Sequence, residues 1–390
     1  MRELTTTPPH RFGSANGRLK GVTRAVLLFL GIRLLVLAVF LCTALKIGRS
    51  PWAVLTQWDS QWYRRIAESG YGHTVVHADG RLLSDYAFFP LMPLLERAVA
   101  AVLQVPVLAA GVGISVAASL VAAAGIYAWG EQLFGHRVAV VSVAVWAVLP
   151  MAPVLWMPYS ESLFTALAVW SLYAVHHRSP VTAGALAALA GLCRPTGVAV
   201  AAAVVVVLAL DVRRGAAAGV PRGWRDLWRP VLGAVLAPLG TLGYLVYVAS
   251  REDHVLGYAR VTNGWGNGVD GGRAFVAWAL DRVQAAPHWP GVLVLAGVAV
   301  LVGLIVACIR QRQPLGLLLF TIGLVALAFL TSGYFGSKPR YLLPAFPLVF
   351  PVAAAVTNRV SPRVQRLLLA AGVLCTAAYG AAWLLGPGPP

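Results

Sequence analysis

Long apolar stretches recur along the whole chain and limit its fold more than any other sequence feature. Hydrophobic residues make up 59% of the 390 positions, charged residues make up 12%, and the mean hydropathy is +0.74. A soluble domain has charged residues at about a quarter of its positions, and a membrane-spanning helix needs about 20 mainly apolar residues. The sequence therefore predicts an all-α polytopic membrane protein.

The apolar stretches predict about 11 transmembrane helices, with a range of roughly 10 to 13. They lie near 22–45, 107–130, 138–153, 159–176, 181–193, 196–210, 230–250, 291–310, 314–332, 341–357 and 365–385. The segment 88–104 is short and contains Glu96 and Arg97, which favours an interfacial or re-entrant helix over a further span. Residues 1–21 form a polar arm, and 22–390 form a single membrane domain with long loops near 46–87 and 251–290.

The distribution of positive charge predicts how the chain is oriented. The net charge is +17, and Lys and Arg are concentrated in the stretches 1–24, 211–229 and 358–366. This is the positive-inside bias of membrane proteins, so the N-terminus and these stretches are cytoplasmic, and no nucleic-acid partner is needed to explain the charge. The strong preference for Arg over Lys, with abundant Ala, Val and Gly, is typical of a GC-rich bacterial genome and hence of a bacterial plasma membrane.

The four cysteines predict neither a metal centre nor a disulfide framework. All of them fall within or at the ends of apolar spans, and none belongs to a CxxC pair or a Cys/His cluster. We therefore expect no cofactor and no metal site.

Asp59 lies just past the first predicted span, inside an interfacial segment. Trp58, Trp62 and Tyr63 flank it, and such amphipathic rings settle at the membrane–water interface. A carboxylate at the start of an amphipathic helix has two interpretations. It faces a lipid-borne substrate as a chemical group, or Asp59 or Ser60 caps the helix, which is the commoner use of these residue types.

Two other acids lie in comparable settings. Asp85 precedes an aromatic, Pro-rich entry to the segment 88–104, where it fits either sugar binding or helix capping, and capping is favoured. Glu161 follows Ser160 at the start of a predicted span. Ser160 fits an N-cap and the helix dipole stabilises Glu161, but an acid at the hydrocarbon edge is also typical of functional sites, so both interpretations stay open.

Three cations complete the set of candidate functional groups. Arg194 lies between two apolar half-segments, where it requires an anionic partner or water, and Lys338 and Arg340 lie near a predicted span end. They form either snorkelling side chains or a phosphate clamp. A carboxylate near such a clamp at the outer face predicts glycosyl transfer from a lipid-phosphate sugar, because the reaction needs a base for the acceptor hydroxyl and cations for the departing phosphate.

The ordered set of these motifs resembles the mannosyltransferases of the PIG-V type, which belong to the GT-C glycosyltransferase superfamily. The matching runs are Trp58-Asp59-Ser60-Gln61-Trp62-Tyr63, Phe88-Phe89-Pro90-Leu91, Pro158-Tyr159-Ser160-Glu161-Ser162, Arg194-Pro195-Thr196 and Pro339-Arg340-Tyr341. The resemblance implies a GT-C fold and a polyprenyl-phosphate sugar donor, with mannose transferred under inversion. The acceptor is a membrane-associated lipid, glycan or protein, and the active site is extracytoplasmic.

The resemblance also implies roles for individual residues. Asp59 matches the acid that serves as base or orients the acceptor. Many GT-C enzymes have a second acid beside it, whereas here Ser60 follows, which leaves that place to Glu68, Asp85 or Glu161. The candidate donor-phosphate ligands are Arg194, Lys338 and Arg340, and the other substrate-binding candidates are Trp58, Trp62, Tyr63, Arg64, Asp85, Tyr159, Glu161 and Tyr341.

Two other classes of protein fit a polytopic chain. A transporter or lipid flippase would show inverted repeats and acids at mid-membrane, whereas the acids of this chain cluster at the predicted outer face. A non-catalytic scaffold for envelope assembly would tolerate replacement of Asp59. The glycosyltransferase interpretation is favoured over both.

Overall fold

The computed structural model describes residues 15–217, 223–333 and 335–384, and these ranges are mostly helical. The helices are α1 (Ala15–Lys46), α2 (Pro51–Leu55), α3 (Asp59–Ser69), α4 (Leu91–Leu103), α5 (Val107–Phe134), α6 (His136–Ala147), α7 (Glu161–His176), α8 (Pro180–Cys193), α9 (Gly197–Ala217), α10 (Trp224–Arg251), α11 (Gly257–Gly264), α12 (Arg273–Gln284), α13 (Trp289–Arg310), α14 (Leu315–Phe329), α15 (Lys338–Tyr341), α16 (Val349–Arg359) and α17 (Pro362–Leu384). Strands β1 (Thr74–Val76) and β2 (Leu82–Ser84) form an antiparallel hairpin. Most of the predicted polar arm, residues 1–14, lies outside the described residues.

Every predicted span overlaps a helix, but the count of about 11 spans is not confirmed. Within the described ranges, five helices are long and apolar enough to cross a membrane, namely α1, α5, α10, α13 and α17. A sixth span results if the segments 335–341 and 346–359, bent by 78° at their break, are taken together. Helices α6, α8 and α14 are apolar but have 12, 14 and 15 residues, fewer than the roughly 20 that a straight span requires.

Helix α4 corresponds to the segment predicted to be interfacial or re-entrant. It has 13 residues, which is too short for a span, and it buries Met92, Pro93 and Glu96. Leu94 and Val102 remain exposed, so α4 has one face against the protein and an apolar face on the outside. This arrangement agrees with the interfacial interpretation.

Close contact between α8 and α10 sets the position of the chain segment that follows α8. Gly184 and Gly191 on α8 lie so close to α10 that a Cβ on either would overlap the backbone of Gly233 or Thr241. α8 ends at Cys193, where Pro195 disfavours the helical conformation for the residue before it. The backbone of Arg194 is accordingly extended, with φ −155° and ψ 154°, so this residue lies outside the helix.

The two predicted outer loops contact each other and the segment that leads to α15. The first loop contains α2, α3 and the hairpin, and the second contains α11 and α12. Trp265 Nε1 of the second loop donates to the Ser84 carbonyl at 2.9 Å. Ser332 Oγ donates to the Gly266 carbonyl at 2.8 Å, so the second loop also holds the chain just before Lys338.

Candidate functional site

Asp59 begins α3 but does not cap it. The residue in the capping position is Trp58, which has an uncommon positive φ of 55°, and no side chain caps the helix. The Asp59 carboxylate instead accepts a hydrogen bond from Arg340, with 2.8 Å between Nη1 and Oδ2. The capping interpretation of Asp59 and Ser60 is therefore wrong, and Asp59 is joined to a residue 281 positions away.

Arg340 lies at the centre of the site, on the short helix α15. Its Nε lies 3.4 Å from Oε1 of Glu161, while its Nη1 contacts Asp59. The rings of Tyr159 and Tyr341 lie 5.2 and 5.4 Å from the guanidinium carbon, within the range of cation–π attraction. Two acids and two aromatic rings therefore surround this buried guanidinium.

Glu161 links Arg340 to Arg194. Its Oε1 lies 2.6 Å from Arg194 Nη1, and its side chain is 1% exposed. The contacts of Glu161 with Arg194 and Arg340 are ion pairs by distance. The side chains thus form a row in which carboxylates alternate with guanidinium groups, in the order Asp59, Arg340, Glu161 and Arg194. We call this row the charge network.

Ser160 and Tyr63 hold the inner end of the charge network. Ser160 occupies the capping position of α7 without making a capping hydrogen bond. Its Oγ instead accepts hydrogen bonds from Tyr63 at 2.9 Å and from Arg194 Nη1 at 3.1 Å. The sequence predicts a cap here because Ser followed by Glu is typical of a helix start, and nothing local marks the different role of this hydroxyl.

The four members of the charge network differ in exposure. Side-chain exposure is 25% for Asp59, 7% for Arg340 and 13% for Arg194. Asp59 is therefore the end of the row most accessible to a substrate. With two carboxylates and two guanidiniums, the ionised network has no formal net charge.

Lys338 does not contact the charge network in the described structure, although it is a predicted phosphate ligand. Its Nζ donates to the carbonyls of Thr331 and Ser332 at 2.7 and 3.2 Å and lies 3.3 Å from Thr331 Oγ1. An ammonium has three donors, and three oxygens occupy them here. In this state Lys338 stabilises the segment that precedes α15.

Two predicted substrate-binding residues lie apart from the network. Arg64 is partly exposed and pairs with Glu68 at 3.0 Å. Asp85 is buried, and its carboxylate accepts the backbone N–H groups of Gly72 and His73 at 3.0–3.2 Å. The predicted capping by Asp85 is also wrong, because Pro90 occupies the capping position of α4 and no side chain caps that helix.

An aromatic cluster lies beside Asp59. Trp62, one helical turn further along α3, stacks on Phe88 with ring centroids 5.6 Å apart. Trp265 packs edge-on against Trp62 at 5.1 Å and was not predicted. A single Trp within the Gly-rich run 263–268 was the only sequence signal for it.

Glu96 and Arg33 are two further buried ionisable residues outside the network. Burial raises the pKa of Glu96 to about 9, and both of its oxygens lack a hydrogen-bond partner in the described structure. The Arg33 guanidinium in α1 lies 5.4 Å from the Trp156 ring. The described residues contain no group of three His, Cys, Asp or Glu side chains placed to hold a metal ion.

Solved structures of membrane glycosyltransferases have the same fold as this chain. ArnT from Cupriavidus metallidurans bound to undecaprenyl phosphate matches with a TM-score of 0.52 and 18% identity, over 92% of this chain and 69% of that one. The apo oligosaccharyltransferase of Archaeoglobus fulgidus matches with a TM-score of 0.54 and 14% identity, over 97% of this chain. The archaeal enzyme AglB, in complex with an inhibitory peptide and a dolichol-phosphate, matches with a TM-score of 0.52 and 14% identity, over 96% of this chain.

These likenesses define the class of fold. The chain is an all-α, multi-pass membrane protein with a GT-C fold, and it spans 57% of the length of the archaeal oligosaccharyltransferase. No protein-family model matches the chain, and no curated protein matches it. The PIG-V-type resemblance within the GT-C fold stays a prediction.

Proposed function

We propose that this protein is an integral-membrane glycosyltransferase that moves a sugar from a polyprenyl-phosphate donor to a membrane-associated acceptor. The observation that supports it best is the charge network. In it the accessible Asp59 contacts Arg340, and Glu161 links Arg340 to Arg194. Mannose as the sugar, inversion at the anomeric carbon and a lipid, glycan or protein acceptor follow from the PIG-V-type resemblance. The site faces the outside of a bacterial plasma membrane, with the N-terminus cytoplasmic.

Asp59 is the proposed base. Its carboxylate takes the proton of the acceptor hydroxyl while that oxygen bonds to the anomeric carbon and the bond from this carbon to the phosphate oxygen breaks. The polyprenyl phosphate leaves with the electron pair and needs no proton, so a single carboxylate is sufficient. Trp62, one helical turn after Asp59, and Trp265, which packs against Trp62, form the proposed surface for the acceptor.

Arg194 and Arg340 are the proposed ligands of the donor phosphate, and Lys338 is a third candidate. A guanidinium group can donate two parallel hydrogen bonds to two phosphate oxygens, and its positive charge stabilises the negative charge that develops on the leaving group. Contacts with Glu161 and Ser160 hold the Arg194 guanidinium at the proposed phosphate site. The fold neighbours solved with undecaprenyl phosphate and with a dolichol-phosphate support a lipid-phosphate donor.

Transfer assays on the purified protein in lipid nanodiscs test this function. Polyprenyl-phosphate-mannose is the donor, with polyprenyl-phosphate-glucose for comparison, and bacterial membrane lipids supply acceptors. We expect Asp59→Asn to lose transfer by at least about 100-fold, the usual contribution of a general base. The control is Asp79→Asn, an exposed acid paired with Arg81 in the hairpin turn. Unchanged turnover in Asp59→Asn would contradict the base assignment, and lost turnover after chelation would contradict metal independence.

A further inference from the structure

We propose that Arg340 moves from Asp59 to the donor phosphate, so that binding of the donor releases the base. The inference rests on the proposed function and adds an order of events to it. It also predicts that Asp59, although required for transfer, opposes binding of the lipid phosphate.

The starting point is the charge balance of the site. Arg340 contacts Asp59 and Glu161, and Arg194 contacts Glu161. Lys338 donates to neutral oxygens of its own segment. A phosphate that enters this group therefore meets guanidiniums that already contact carboxylates, and it has to compete with one of those carboxylates.

Asp59 is the carboxylate that is easier to displace. Glu161 is 1% exposed and contacts both guanidiniums, so separating it from them would leave a buried, unpaired charge. Asp59 is 25% exposed and is held by Arg340, and water can hydrate its carboxylate when that contact breaks. The phosphate therefore replaces Asp59 and leaves Glu161 in place.

The donors of Arg340 and the aromatic rings around it favour this exchange. A guanidinium presents five N–H donors in a planar fork, so Arg340 can give two of them to phosphate oxygens once its Nη1 leaves Asp59, while its Nε stays beside Glu161. The rings of Tyr159 and Tyr341 lie 5.2 and 5.4 Å from the guanidinium and attract it independently of its anionic partner. The exchange thus replaces one charge-assisted hydrogen bond by a bidentate contact.

The exchange couples the donor to the base. While Asp59 holds Arg340, its Oδ2 is occupied by the hydrogen bond from Arg340 Nη1. When the phosphate takes Arg340, the carboxylate becomes available next to the sugar. Because such coupling is reciprocal, removal of the Asp59 charge increases the affinity for the phosphate.

Binding of undecaprenyl phosphate to the purified protein in nanodiscs tests the proposal without requiring transfer. We expect Asp59→Asn to bind about tenfold more tightly than the unmodified protein, equivalent to about 1.4 kcal/mol. Asp79→Asn should bind like the unmodified protein. In an Arg340→Gln background, Asp59→Asn should bring no further gain, because the residue for which the two anions compete is missing. Arg340→Lys serves as a second background if Arg340→Gln fails to fold, and it should reduce the gain.

The outcomes separate this inference from the proposed function. Binding to the unmodified protein with equal or weaker binding to Asp59→Asn overturns the exchange and leaves the lipid-phosphate donor intact. A gain that persists without Arg340 attributes the effect to the overall charge and overturns the role of Arg340. A folded, unmodified protein that does not bind undecaprenyl phosphate contradicts both proposals.

Discussion

Glu161 and Asp59 show how two carboxylates of one site take different roles through their surroundings. Both contact Arg340, but Glu161 is buried between two guanidiniums whereas Asp59 is partly exposed. A buried acid with two cationic partners is suited to holding those partners in place. An accessible acid with one partner is suited to meeting a substrate.

Replacement of Glu161 tests its structural role. We expect Glu161→Gln to lower the free energy of unfolding by about 3 kcal/mol, because Arg194 loses its carboxylate partner in a buried place. Glu68→Gln, which removes an exposed ion pair on α3, should change it by less than about 1 kcal/mol. Unfolding by denaturing detergent in mixed micelles, followed by circular dichroism, measures both. Equal stability of the two variants would contradict the anchoring role.

At the scale of elements, the α8–α10 contact and Pro195 together place Arg194. Small residues let the two helices approach closely, which is the usual means of helix association in membranes. Pro195 ends α8 at the position from which Arg194 reaches Glu161. The site therefore depends on a helix contact whose residues take no part in the chemistry.

Two glycines of α10 test this dependence. A Cβ at Gly240 would overlap the carbonyl oxygen of Ala188 on α8, whereas a Cβ at Gly243 would have no atom within 4 Å. We expect Gly240→Ala to cost about 1–3 kcal/mol through overpacking and to reduce transfer as Arg194 shifts. Gly243→Ala should leave the stability and the transfer activity unchanged. Thermal unfolding measures the stability of both variants, and transfer assays measure their activity. Equal stability and activity of Gly240→Ala and Gly243→Ala would contradict the dependence of the site on this helix contact.

At the scale of the whole molecule, the two loops predicted to be outside and the charge network lie on the same side of the fold. The network joins the start of α3 in the first outer loop to α7, to the segment after α8 and to α15. The second outer loop reaches this region through the Trp265 contact with Ser84. The likeness to the oligosaccharyltransferase fold extends over 97% of the chain.

Cysteine labelling in intact cells tests the orientation. In a background with Cys42 and Cys375 replaced, Ala78→Cys in the exposed hairpin turn should react with a membrane-impermeant maleimide. Arg178→Cys, between α7 and α8, should react only after the cells are permeabilised, because the positive-inside bias places it in the cytoplasm. The reverse pattern would place the site on the cytoplasmic side.

Prediction from the sequence succeeded where the determining interactions are local. Apolar length and composition correctly predict the helical membrane fold, and the Glu96-containing segment is short, as the interfacial interpretation requires. The capping interpretation of Asp59 and the capping prediction for Asp85 failed for the opposite reason. Their carboxylates bind groups supplied by other parts of the chain, and this competition is invisible in a short window of sequence.

The sequence by itself determined the class of architecture, because apolar spans and proline breaks depend on neighbouring residues. It also marked Asp59, Glu161, Arg194 and Arg340 as candidates. Only the tertiary structure decided that these four meet in one alternating row while Lys338, Arg64 and Asp85 do not join it. The reason is physical: an ion pair between residues up to 281 positions apart depends on how the intervening helices pack.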